Sequence, residues 1–424
     1  MNLPLSSGRF LPHEAPHAVR RLRETARGKI AATLDENLQK QTEAILSKYV
    51  KDNAGRGIFN AAAILVDYKT AEVLAAVGSA DFFNEKIDGQ VDGTAALRSP
   101  GSALKPFIYA LALDQGLIHP RTMLKDVPKN YGLYTPENFD RSFYGLVNAT
   151  QALVYSRNIP AVDLLLRLEE NSFYQMLEKA GVKKLKTPGY YGLALALGGA
   201  EVSAQDLAAL YAMLGNGGKF RPLRWRKDEP QLPETAMLSP EAAFLTLDML
   251  SYNAPVDCRR LPFAKRSGTP YKVYWKTGTS YGYKDAWAAG LFGDFVLVVW
   301  VGNFDGTPNP AFTGREAAAP LFFRLVRPPA AELPETAFAL TGLTCRRLIF
   351  APQPEIWPMP IVLKRLNHIL FPVLPGLNCP GSAAGFRLKL PAGCVPADIR
   401  RRPPGWKPMI SGPRMCCRLL PVPA

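Results

Sequence analysis

The apolar pattern of this chain changes period twice, and that constrains its fold more than any other feature. "FNAAAILVDYKTAEVLAAVGS" predicts a β-hairpin, with strands over residues 63–66 and 73–77 and a polar turn over 67–70. Residues 147–250 are mostly helical in pattern, with Asn, Gly and Pro at the breaks. Within them, "VSAQDLAALYAMLGNGG" predicts a helix capped by Ser203 and stopped by the glycines from Gly215 to Gly218. "YKVYWKTGTSYGYKDAWAAGLFGDFVLVVWVGN" then predicts three short strands, the last two joined by a tight turn at Gly293 and Asp294. Strands at both ends of a helical middle predict an α+β fold. One antiparallel sheet closes from N- and C-terminal strands around the inserted helices.

Bulk properties narrow the function classes. The chain has 424 residues, enough for one large domain or two to three ordinary ones. The net charge is +15, but residues 328–424 alone hold 12 Lys/Arg against 4 Asp/Glu. A moderately basic domain with a basic tail is a poor match to a nucleic-acid binder, and no nucleic-acid partner is expected. Only Cys258 precedes the tail, which contains Cys345, Cys379, Cys394, Cys416 and Cys417. No C-x-x-C pair occurs, and His13, His17, His119 and His368 are scattered, so no metal site is expected. Residues 286–301 are the most apolar stretch, but Gly290, Gly293 and Asp294 break it into strands rather than a membrane span. The N-terminal residues carry no apolar signal core. Three segments result: residues 1–48 as a linker running into a helix, 49–327 as the main domain, and 328–424 as a tail with 18 of the 38 prolines.

Three short motifs carry candidate chemistry. In "SPGSALKPFIYALAL", Ser102 and Lys105 are three residues apart, so they share one helix face. Pro106 is cheap only in a first helical turn, which places the helix start near Ser102. A serine there, with a lysine one turn on, is a candidate nucleophile and base. In "ALVYSRNIPAV", Ser156, Arg157 and Asn158 precede Pro160, which disfavours helix at Ile159 and predicts a loop between helices. In "VYWKTGTSYG", Lys276, Thr277, Gly278 and Thr279 end an apolar strand. Gly278 permits close backbone approach, and the lysine and hydroxyls suit an anion. Each motif alone is common in ordinary turns and caps. In this order and context, together, they are not.

S-x-x-K, then S-x-N, then K-T-G is the signature of penicillin-binding proteins and serine β-lactamases, here with Arg157 in place of an Asp. The strings "GTAALRSPGSALKPFIYALALDQGLIHP", "PENFD", "SRNIPAV", "YGLALALGG" and "KTGTSYGYKDAWAAG" extend the likeness. The chain resembles the transpeptidase domain of bifunctional penicillin-binding proteins of the 1C type, over roughly residues 12–326. The resemblance implies the penicillin-binding-protein/serine β-lactamase-like fold, with helices on both sheet faces and a helical subdomain. It implies a serine-type D-Ala-D-Ala transpeptidase that needs no cofactor, cross-links peptidoglycan stem peptides and is acylated by β-lactam antibiotics. Ser102 would be the nucleophile, Lys105 its base and Ser156 a proton relay. Asn158, Lys276, Thr277, Gly278 and Thr279 would bind substrate, with the Ser102 and Thr279 N–H groups as the oxyanion hole.

The family carries a membrane anchor and a glycosyltransferase domain before this one, so the chain reads as a truncated version, with a periplasmic, inner-membrane-associated place of work. The tail departs from the family's small C-terminal β domain and reads as disordered or as translation in another frame. Two further readings use the same residues: a D,D-carboxypeptidase with water as acceptor, and a catalytically silent binding or scaffold module. A β-lactamase is disfavoured because no Glu-x-x-Leu-Asn pattern lies between the second and third motifs.

Overall fold

Both ends of the chain meet in one sheet, as the change of period predicts. The computed structural model describes residues 14–25, 27–132, 134–170, 172–254 and 272–326. All six cysteines, His13, His368 and the expected tail lie outside the described residues. Described strands are β1 (Asn60–Asp67), β2 (Glu72–Val77), β3 (Met123–Asp126), β4 (Gly145–Asn148), β5 (Lys219–Phe220), β6 (Thr235–Ala236), β7 (Val273–Thr279), β8 (Asp285–Phe292) and β9 (Phe295–Gly302). Described helices are α1 (Pro16–Thr25), α2 (Glu36–Asn53), α3 (Lys105–Asp114), α4 (Ala149–Val154), α5 (Asn158–Arg167), α6 (Ser172–Lys179), α7 (Pro188–Tyr191), α8 (Ala204–Gly215), α9 (Pro240–Ser251) and α10 (Ala319–Val326).

The main sheet has the order β2-β1-β9-β8-β7, antiparallel throughout. Its two hairpins have local causes. Asp67 Oδ1 accepts the N–H groups of Lys69 and Thr70, which turns β1 into β2. Phe292 pairs with Phe295, leaving a two-residue turn in which Gly293 takes φ +54°. β1, β8 and β9 are buried on both faces, so they read as continuous apolar runs. Among the described residues no helix is long and apolar enough to cross a membrane. Residues 286–301 form β8 and β9 instead.

The pleat divides the core in two. Ala62, Ile64 and Val66 of β1, with Val296, Val298 and Trp300 of β9, face α8, and α3 and α9 complete the same core. Ala61, Ala63 and Leu65, with Leu297, Val299 and Val301, face α2 and α10. Helices thus cover both faces, and those between β2 and β7 form the larger layer. α3 and α8 are apolar almost all round and are correspondingly buried. Ser203 caps α8 as expected, in a capping box with Asp206. The boundary placed between residues 48 and 49 falls inside α2. That helix starts after its cap Asp35 and buries Ile45, Leu46, Tyr49 and Val50 in the second core.

Candidate active site

The opening motif reaches the sheet through two glycines. Gly101 takes φ +52°, and a Cβ on it would lie 2.2 Å from the Thr279 carbonyl oxygen. A Cβ on Gly278 would lie 2.0 Å from the Pro100 carbonyl oxygen. Neither position accepts a side chain, so the backbone before Ser102 lies directly on the edge strand β7. Trp287 Nε1 donates to the Ser99 carbonyl at 2.9 Å, and the Tyr211 hydroxyl donates to the Ala103 carbonyl at 2.9 Å. The Ser99 hydroxyl donates to the Gly198 carbonyl at 2.8 Å. β8, α8 and the "YGLALALGG" segment therefore hold this turn from three sides.

The helix start expected at Ser102 is a 3-10 turn over Gly101–Leu104, and the α-helix begins at Lys105. The tighter turn keeps the intended pairing, because residues three apart eclipse in a 3-10 helix. Pro106 falls in the first α-helical turn, where its missing N–H costs nothing. The second motif differs more. Asn158 is not in a loop but is the first residue of α5, with Arg157 as the cap. Ile159 is helical despite preceding Pro160, which sits in the first turn, among N–H groups that have no helical partner anyway.

The site is built around two fully buried lysines. Lys105 and Lys276 are 0% and 1% exposed. Lys105 Nζ donates to the Ser156 carbonyl at 2.7 Å, the Arg157 carbonyl at 3.1 Å and Asn158 Oδ1 at 2.5 Å. Lys276 Nζ donates to the Ser156 hydroxyl at 2.8 Å and to the Thr277 carbonyl at 2.9 Å. Ser156 thus receives one lysine on its carbonyl and the other on its hydroxyl, from a left-handed backbone at φ +58°.

Burial pushes the Lys105 ammonium well below the ordinary lysine range, and the Lys276 and Arg157 charges push it further. Its three acceptors favour the charged form and work against this. A neutral amine has only two N–H groups, so losing a proton frees one acceptor and a lone pair. Burial lowers Lys276 to about 7, with the Arg315 charge adding to it.

Lys105, Ser156, Asn158 and Lys276 are joined by hydrogen bonds, Ser102 stands one 3-10 turn before Lys105, and Gly278 and Thr279 pack on that turn through the glycine contacts. The polar side chains of the motifs differ in what they touch. The Ser102 hydroxyl has no hydrogen-bond partner among the described residues, its lysine being engaged with the second motif. Asn158 Oδ1 accepts from Lys105 and its Nδ2 donates to the Glu137 carbonyl at 2.6 Å, which leaves one N–H and one lone pair of the amide unused by these bonds. Thr279 Oγ1 accepts the Gly314 N–H at 2.9 Å, while Thr277 is half-buried. Phe139 and Tyr283 meet edge to face, ring centroids 5.8 Å apart, joining the "PENFD" segment to the β7–β8 loop. "PENFD" is the only sequence signal for Asn138 and Asp140, and nothing marks Asp126 or Arg315. Two open hollows of about 610 and 820 Å³ lie elsewhere and are lined by none of these motif residues. The chemistry, not concavity, locates the site. Among the described residues no cluster of His, Cys, Asp and Glu is arranged to hold a metal ion.

Comparison with known proteins places the chain in a family. Residues 61–325 match the penicillin binding protein transpeptidase domain. The chain is 38% identical over 315 residues to penicillin-binding protein 1C of Escherichia coli, which supports the 1C type. That match covers 74% of this chain and 40% of the relative. It is 30% identical over 301 residues to penicillin-binding protein 1A of Clostridium botulinum, covering 65% of this chain and 36% of that one. The chain thus spans about two fifths of the length of these relatives. The solved PonA1 protein of Mycobacterium tuberculosis in complex with penicillin V has the same fold. Its TM-score is 0.58 at 20% identity, over 73% of this chain and 90% of that one. The α+β architecture read from the sequence is therefore the one these structures share. On the family match and the curated relatives, the chain belongs to the penicillin-binding protein transpeptidase family.

Proposed function

We propose that the chain is a serine-type D-Ala-D-Ala transpeptidase, cross-linking peptidoglycan stem peptides through an acyl-enzyme on Ser102, and that β-lactams acylate the same oxygen. One observation carries the reading. Two fully buried lysines meet on Ser156 beside the serine turn. Buried charge is costly, and a core built only for stability would place apolar side chains there.

Neutral Lys105 takes the Ser102 proton as Oγ attacks the carbonyl carbon of the penultimate D-alanine. The Ser102 and Thr279 N–H groups stabilise the oxyanion, a contribution of about 3 kcal/mol per donor. The C–N bond then breaks, and the terminal D-alanine leaves with a proton passed through Ser156. An amine of a second stem attacks the acyl carbon and frees Ser102. Lys276, Thr277 and Thr279 hold the terminal carboxylate, and Gly278 keeps that strand against the serine turn. Asn158, held by Lys105 and Glu137, orients the base and keeps a second amide N–H for a substrate backbone. The working unit is residues 49–327 together with the α2 residues before them. The substrate lies outside the cytoplasmic membrane, so the proposed place of action is the periplasm. A glycosyltransferase domain and membrane anchor are the proposed partners in the full-length protein.

Incubation of the purified chain with a fluorescent penicillin tests the reading, with Ser102→Ala as control. Stable labelling lost in the variant is the expected result. A folded protein that takes no label, and does not turn over a stem-peptide thioester, overturns it in favour of a silent module. Release of free acid rather than cross-linked dimer when an acceptor amine is supplied identifies a D,D-carboxypeptidase.

A further inference from the structure

We propose that Arg157 is a positioning residue for this reaction: braced by a buried carboxylate, its side chain aims the backbone of residues 156–158 at Lys105. This rests on the transpeptidase reading above. An arginine is almost never buried unless paired, and Arg157 is 3% exposed. Its Nε donates to Asp126 Oδ2 at 2.7 Å, its Nη1 to Asp140 Oδ2 at 2.9 Å and its Nη2 to the Ser142 carbonyl. The Tyr144 ring covers the guanidinium, 4.1 Å from Cζ to the centroid. Asp126, itself fully buried, also accepts Asn138 Nδ2 at 2.7 Å and the Tyr144 N–H at 3.0 Å. Asn138 Oδ1 in turn accepts the Asn158 N–H at 2.7 Å. A closed circuit therefore runs from β3, through residues 138–144, to the first residue of α5.

Ser156, at φ +58°, directly precedes Arg157 in the chain. Its carbonyl and that of Arg157 both accept from Lys105 Nζ. Local helix physics does not explain the arginine. A cap favours a side chain that accepts N–H bonds, and a helix N-terminus favours negative charge. Arg157 makes no side-chain cap bond and carries the opposite sign. The brace is what it serves. Two of the charges that face Lys105 belong to the circuit, Arg157 from the α4–α5 connection and Asp126 from β3, and Lys276 from β7 is the third. Arg315 stands behind Lys276. Asp126 favours the charged lysine, whereas Arg157 and Lys276 favour the neutral one.

The test is the second-order rate of penicillin acylation across pH, scaled to folded protein by thermal melts. Arg157→Lys keeps the charge and loses the planar fork, so the rate falls about 10- to 100-fold with the acid limb unmoved. Arg157→Met moves the acid limb to higher pH, and Asp126→Asn moves it to lower pH. Should a single variant fail to fold with one buried charge left unpaired, Asp126→Asn combined with Arg157→Met leaves no buried charge unpaired, Asp140 being 43% exposed. That double variant is expected to lose the rate and keep the acid limb near that of the wild type. A purely structural arginine gives wild-type rates per folded site and no opposed shifts, which overturns the proposal. Wild-type protein that is not acylated on Ser102 overturns the transpeptidase reading instead, so the two failures are distinct.

Discussion

The two faces of the main sheet use the same strands and bury different things. Toward α2 and α10 the core is apolar, and the Tyr49 hydroxyl reaches across it to donate to the Ala317 carbonyl at 2.7 Å. Toward α3, α4 and α5 the core ends in Lys105, Lys276, Arg157 and Asp126, all buried. Adjacent residues of β7 show the change directly. Trp275 packs into the first face, and by the pleat Lys276 turns to the other. The reactive side also holds Ser156 in a left-handed backbone at φ +58°. One face supplies stability, and the other spends part of it to hold charges where chemistry needs them.

That division can be broken from either side. Leu46 is fully buried under α2, and Leu46→Ala is expected to cost about 2–5 kcal/mol in a denaturant titration. The acylation rate of the folded fraction stays unchanged, and a slowed rate would show that the faces are coupled. On the reactive side, Gly278→Ala drives a Cβ into the Pro100 carbonyl and pushes the serine turn off β7. A misplaced nucleophile of that kind loses about 100-fold in acylation rate, measurable by stopped-flow with a chromogenic β-lactam. Lys276→Met removes the donor to the Ser156 hydroxyl and one of the cations facing Lys105. The acid limb of the rate profile then moves to higher pH, and acylation near pH 7 falls about tenfold. Lys276 also makes stability depend on pH. Above about 7 folded Lys276 gives up its proton. The unfolded chain holds that proton up to about 10.4, so stability rises with pH across this window, by at most ~1.4 kcal/mol per unit. Lys276→Met flattens that rise, and an unchanged slope would mean that Lys276 stays charged in the fold.

Much of the fold is legible in the amino-acid sequence. Period-2 and period-3.6 stretches locate the sheet and its covering helices, because side-chain direction follows from backbone geometry within a few residues. The Ser102–Lys105 spacing survives even though the turn is 3-10 rather than α, since both geometries put residues three apart on one side. Pro160 misleads, because its effect on Ile159 is a local preference that the packing of α5 overrides. Arg157 is legible only as a departure from a pattern. Asp126 and Asp140, which make it intelligible, lie 31 and 17 residues away.

The sequence by itself determined the order of motifs, the strand and helix periods, and hence the fold and the family. Only the tertiary structure decided which lysine touches what, that Asn158 serves Lys105, and that Arg157 is buried and braced. The physical reason is range. Periodicity and turn chemistry act over a few bonds along the chain. Desolvation and charge coupling depend on distances of about 3 Å between groups as far apart in sequence as Ser156 and Lys276, and folding alone sets those distances.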